Sequence, residues 1–376
     1  MHAATRLLDL AVEQEARGRY RRALVLGRYA LEYAQRGCGP DSPDAANVGN
    51  TLAVVHQKLG ALDEAERLFR RSVAIMEATE GDEDVQTVRV QSIDGLASLL
   101  RVRARYDEAE ALHRRALAVA EQALGPNHAE VSRILNNLAV LFKFWGRFDE
   151  AEALYWRAHA IIENESGGDS AAMATLYHNL GGLEHSRGRY AEGEPYARRS
   201  VEIREAALGP MHLDVAADVA ALAGLLDGQG KFDEAEQLYR RALNVFESAL
   251  GQDHHDVSVS LNNLAAIHFA RGSPLVAEAF YWWALSNKEK LLGPNHPDVA
   301  LTLNNLAVVL RAVGKTDTAA EMYARALGIL ERSLTPDHPT LVTCIENYAD
   351  LLREMGRDED AARIEARPPR REPDGG

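Results

Sequence analysis

The chain has 376 residues, 46% of them hydrophobic and 26% charged, with a formal net charge of −14 and two cysteines. That hydrophobic share excludes a disordered chain, the acidic balance argues against nucleic acid and anionic membrane surfaces as partners, and two cysteines near opposite ends argue against a disulfide framework. No window approaches 18 uncharged apolar residues, and the opening MHAATRLLDLAVEQEARG lacks the apolar core of a secretory signal, so a cytoplasmic protein is expected.

A Leu-Ala pair returns along the chain at Leu10-Ala11, Leu52-Ala53, Leu96-Ala97, Leu138-Ala139, Leu180-Gly181, Leu222-Ala223, Leu264-Ala265, Leu306-Ala307 and Tyr348-Ala349. The step is 42 residues everywhere except between Leu52 and Leu96, where it is 44 and the excess fits the loop EATEGDEDV. About nine repeats therefore fill residues 1–366, and the last ten, 367–376, rich in proline and arginine with no apolar period, are expected to be a disordered tail.

Each repeat predicts two helices. Leu303, Leu306, Ala307 and Leu310 fall at i, i+3, i+4 and i+7 on one stripe of a first helix, A. Helix A stops at a glycine, as at Gly18, Gly60, Gly146 and Gly314, because a residue without Cβ ends a helix in the left-handed region at little cost. The third repeat has Ala104 there, so a strained or altered turn is expected.

A second helix, B, opens on DEAE at Asp63–Glu66, Asp107–Glu110, Asp149–Glu152 and Asp233–Glu236, where carboxylates suit the positive end of the helix dipole. That structural cause outranks a catalytic or metal-binding role for these acids. Alanines such as Ala139 on A and Ala151 on B permit a close crossing, and Phe69, Tyr155, Tyr239, Tyr281 and Tyr323 fill the gap beside it. Gly27 in the first repeat, and Gly193 with Ala197 in a later one, break this pattern, so fraying or a bend is expected there.

The pattern of Leu138, Ala139, Gly146, Ala151, Tyr155 and Ala158 resembles the tetratricopeptide repeat, and the 42-residue period with LGPNHPDVA and LNNLA is similar to the kinesin light chain subclass. The resemblance implies an all-α, right-handed superhelical solenoid of antiparallel helix pairs, with helix A lining a concave groove. It also implies that helix A asparagines contact partner peptides.

Those asparagines are Asn50, Asn136, Asn262 and Asn304, which lie about 100° round the helix from the core leucines. An amide donates and accepts, so it can grip the backbone of an extended peptide whatever its side chains. The competing reading is that these amides tie neighbouring repeats together. Asp94 and Ala220 interrupt the row, and the second asparagine of each pair, such as Asn137 or Asn179, is assigned to structure.

Arg133 and Lys143 share the flank of Asn136, and Arg101 and Arg311 occupy the place of Lys143 in other repeats. This basic inner strip in an acidic protein favours an acidic peptide segment as partner, the alternative being a solvated face. Trp156, Trp282 and Trp283 stand away from the packing stripe; if exposed, they suit a homo-oligomer, and otherwise a neighbouring helix covers them.

His128, His212, His254, His296 and His338 occupy equivalent linker places one helix-packing distance or more apart, too far for a shared metal. They are expected to bond local backbone before the next helix. Gly314-Lys315-Thr316 imitates the end of a phosphate loop, but Val309 stands where a glycine is required. No catalytic motif occurs, and no enzyme, metal or cofactor is expected. The reading is a scaffold or adaptor for extended acidic segments, with a sensor controlling a separate effector or a self-assembling element as alternatives.

Overall fold

The computed structural model describes residues 2–334 and 338–366; the expected tail, 367–376, lies outside them. Two compact units divide the chain at Gly209 and Pro210. The first holds α1 (His2–Ala16), α2 (Tyr20–Cys38), α3 (Pro43–Lys58), α4 (Leu62–Glu77), α5 (Glu83–Val102), α6 (Tyr106–Ala123), α7 (Ala129–Phe144), α8 (Phe148–Ser166), α9 (Ala171–Ser186) and α10 (Tyr190–Leu208). The second holds α11 (Leu213–Gly228), α12 (Phe232–Leu250), α13 (His255–Ala270), α14 (Pro274–Leu292), α15 (Pro297–Ala312), α16 (Thr316–Ser333), α17 (Pro339–Glu354) and α18 (Asp358–Glu365). Among the described residues there is no strand, and the two helices expected of each repeat are both present.

Three-residue links such as Arg17–Arg19 and Leu59–Ala61 join the helices of a pair, a reach so short that the second helix must double back antiparallel to the first. Gly60 sits at φ +77, and the turn closes with the Ala61 amide donating to the His56 carbonyl at 2.9 Å. In the third repeat Ala104 takes the same conformation, at φ +56, and Arg105 donates to the Leu100 carbonyl at 2.9 Å. The turn is therefore strained but not altered. Ala104→Gly is expected to raise unfolding stability by about 1 kcal/mol, read as a higher urea midpoint at unchanged slope.

The helix starts explain the linker histidines. His128 Nδ1 accepts from the Glu130 amide at 3.1 Å, and His212, His254, His296 and His338 do the same two residues ahead at 3.1 to 3.3 Å. Each is an N-cap, the local backbone role expected of it.

Within the pairs, Ala139 and Ala151 are fully buried at the crossing and Tyr155 is buried beside them. Gly27 leaves room for Leu52: a Cβ built there would lie 2.7 Å from Leu52 Cδ2, so the leucine occupies the space an aromatic ring fills elsewhere. Gly193 and Ala197 do not fray their helix. α10 runs unbroken from Tyr190 to Leu208, and a Cβ on Gly181 would meet Ala197 and the Gly193 carbonyl at 3.4 Å, so three small residues bring α9 and α10 close.

Candidate functional site

Within the units, α1 touches α3, α3 touches α5, α5 touches α7, α7 touches α9, α11 touches α13 and α15 touches α17, whereas among the described residues no two even-numbered helices meet to a comparable degree. The odd helices therefore form the inner wall, and the residues singled out on helix A line it.

The four asparagines differ in how they are engaged. Asn50 is buried and donates to Ser92 Oγ of the next repeat at 2.9 Å. Asn136 is half-buried; its Oδ1 accepts from Asn179 at 2.8 Å, while its Nδ2 has only a 3.4 Å contact to Asn137. In the second unit, Asn304 likewise contacts Asn305 at 3.4 Å, and Asn262 is half-buried without a hydrogen bond among the described residues. Two of the four thus join repeats, and the other two keep most of their donor and acceptor capacity.

The cations divide in the same way. Arg311 is bound by both oxygens of Glu354, which holds its guanidinium above the ordinary value. Arg133 pairs with Glu130 and with Asp94 of the preceding repeat. Arg101 and Lys143, both half-buried, pair with no carboxylate among the described residues. Both approach one ring: the Arg101 guanidinium lies 4.9 Å and the Lys143 ammonium 5.4 Å from the centre of Phe144, which is 58% exposed. Burial, and then the Arg101 charge, push the Lys143 ammonium below its ordinary value; burial alone lowers Arg101 while nearby Tyr106 and Tyr155 oppose it.

Opposite these groups, Gly182 of the next repeat has no side chain, and a Cβ there would stand 3.2 Å from Lys143 Nζ. The lysine therefore lies along bare backbone of α9. The arrangement is an uncompensated, doubly positive spot with an apolar centre, on the inner wall of the first unit.

A buried network lies next to it. Asp94, which stands where other repeats have the first asparagine, is fully buried and accepts from Asn137 at 2.7 Å, from Arg133, and from His113 Nδ1 at 2.7 Å. Burial would raise the Asp94 carboxyl, but the Arg133 charge and the bonds from His113 and Asn137 outweigh it and hold it at about 2. His113 stands at the place filled by Phe69 and Tyr155 in adjacent repeats. Two departures from the repeat in one unit were the sequence signal for this network.

The last acid of DEAE has a second task. Glu110 accepts from Arg147 at 2.6 Å, Glu152 from Arg187 at 2.8 Å, and Glu278 from Lys315 at 2.6 Å, each cation coming from the turn of the next repeat. Glu66 receives Arg103 and Arg105 in the same way, and Glu236 receives Arg271. Among the described residues no group of three or more His, Cys, Asp or Glu is placed to hold a metal ion, and no helix is long and apolar enough to cross a membrane.

A tetratricopeptide repeat model matches residues 3–78, 86–164, 172–248, 216–290, 256–332 and 298–367. No curated protein matches the chain. Among solved structures it is similar to a signal transduction ATPase with numerous domains that carries a tetratricopeptide repeat sensor, from Pyrococcus horikoshii. That match has a TM-score of 0.61 and 13% identity, over 93% of this chain and 51% of that one. Aspartyl phosphate phosphatase F from Bacillus subtilis is similar at a TM-score of 0.55 and 13% identity, over 82% and 76% of the two chains. BtubC (BKLC) from P. vanneervenii shares 23% identity at a TM-score of 0.48, over 63% and 92%.

Proposed function

The chain belongs to the tetratricopeptide repeat family, whose members are generally non-enzymatic scaffolds for protein–protein interaction, and from that premise we propose that it binds extended acidic peptide segments on the inner wall of its first unit. The observation that carries this reading is the pair Arg101 and Lys143, half-buried, without a carboxylate partner among the described residues and both close to the exposed Phe144 ring. Burial destabilises both charges, and the nearby Arg101 guanidinium destabilises the Lys143 ammonium further. An arriving carboxylate relieves both and forms charge-assisted hydrogen bonds.

Asn136 stands two helical turns before Lys143 on the same stripe, and its Nδ2, held only by a 3.4 Å contact, is available to a peptide carbonyl. Asn262 and the Nδ2 of Asn304 offer further donors in the second unit, where the Asn304 Oδ1 is buried and Arg311 is already neutralised by Glu354. In this reading the protein is an adaptor of the reducing cytoplasm, in keeping with its two free cysteines, Cys38 and Cys344.

Fluorescence anisotropy with a labelled glutamate-rich decapeptide tests the site. Replacing Arg101 and Lys143 together by alanine is expected to weaken binding at least tenfold and flatten its salt dependence, while Arg311→Ala leaves it unchanged. Equal affinity of wild type and the double variant, at matched circular dichroism, would overturn the assignment.

A further inference from the structure

The solvent face of α14 departs from every other even-numbered helix. Elsewhere the first turn is charged, as with Arg21 in α2, Asp149 and Glu150 in α8, Glu192 in α10, or Asp317 in α16; in α14 the same places hold Leu275 and Val276. Six other repeats carry an arginine at Arg71, Arg115, Arg157, Arg199, Arg241 and Arg325, and most of these reach back to the preceding repeat; α14 has Trp283 there. Three positions that are charged in other repeats are apolar in this one.

None of the three is covered. Leu275 is 69% exposed, and Val276, Trp282 and Trp283 are each about two-fifths exposed. With Ala279 and Ser286 they make a face without an exposed charge over three turns. The two acids of this stretch are neutralised: Glu278 is bound by Lys315, with the Trp282 indole N–H also donating to its Oε1 at 3.4 Å, and Glu289 is bound by Arg325. Trp156 in the first unit is also exposed, at 43%, but it packs against His159 and edge-on against Tyr196 at 6.3 Å, within an aromatic cluster that joins α8 to α10.

We propose that this face of α14 docks against α14 of a second copy, the two helices antiparallel across a two-fold axis. The charge distribution selects that occupant. Each chain carries −14, so two copies repel wherever carboxylates meet. A two-fold contact brings a patch onto itself, and a face without charge is complementary to its own image while the DEAE faces of the other helices are not. Tryptophan pairs at the centre of such a contact are the side chains that anchor interfaces most strongly, with large apolar area and few rotatable bonds. Antiparallel alignment also opposes the helix dipoles, each N-terminus lying towards the other helix's C-terminus.

The test uses the full chain. Sedimentation equilibrium of the wild type at rising concentration is expected to give a mass approaching twice 41.3 kDa. The triple variant Leu275→Asp, Val276→Glu, Trp283→Arg, which restores the residues other repeats carry and so keeps the helix foldable, is expected to stay at the single mass with unchanged circular dichroism. A monomeric wild type at the highest soluble concentration overturns the proposal, and so does a triple variant that still doubles its mass. Trp156→Arg serves as the control face: loss of the dimer there would move the contact to the first unit and sink the assignment to α14.

Discussion

Replacing Asp94 by alanine is expected to cost about 3–5 kcal/mol of unfolding free energy, read as a lowered urea midpoint. The carboxylate is fully buried and is the common acceptor for Arg133, Asn137 and His113. Its removal leaves the Arg133 guanidinium with Glu130 alone and the fully buried His113 ring without its Asp94 partner. Asp94→Asn, which restores the residue of other repeats, retains part of the hydrogen bonding and is expected to lose less. Acid titrates the same contribution. The folded carboxyl lies at about 2, below its ordinary 3.8, so the stability it supplies is complete above pH 3.8 and is lost as pH falls through 2. An Asp94→Ala chain as stable as wild type at neutral pH would refute the network's role.

Phe142→Ala is expected to cost a similar amount, about 3–5 kcal/mol, because the ring is 1% exposed in the core of the first unit and truncation leaves a cavity there. The ring also carries the Arg147 guanidinium 4.0 Å above its centre, and that same arginine reaches Glu110 of the preceding repeat. Losing the ring therefore unseats an inter-repeat bridge as well as a core contact. Phe142→Leu, the residue found at Leu100, Leu226 and Leu310 in equivalent places, is expected to cost under about 1.5 kcal/mol. Thermal melts of the two variants check the pair: an equal shift for both would mean that the cavity does not set the cost.

The architecture was legible from the Leu-Ala register and the turn glycines because both are local. Leu138, Ala139 and Gly146 state a helix face and its end within one repeat, and His128 states the next start. Ala104 was legible as a position under strain, and the structure shows the strain held in an unchanged turn. The division at Gly209 follows the repeat containing Gly193 and Ala197, but no local pattern marks it as a boundary.

The site was legible only as a set of candidates. Residue type places Arg101, Arg133, Lys143 and Arg311 on one strip, yet whether each is free depends on a residue about 40 positions away. Arg133 meets Asp94 and Arg311 meets Glu354, whereas Arg101 and Lys143 meet no carboxylate among the described residues. Glu354 was visible in the sequence as an acid at the same level of the last repeat. The DEAE glutamates show the same limit: their place at a helix start was readable from one repeat, and their bond to the next repeat was not.

Those glutamate bridges also bear on how the repeats are held together. Each one fastens a repeat only to the one that follows, so these bridges join a unit link by link alongside its continuous apolar core. Being partly exposed ion pairs, the links are screened and weaken as ionic strength rises.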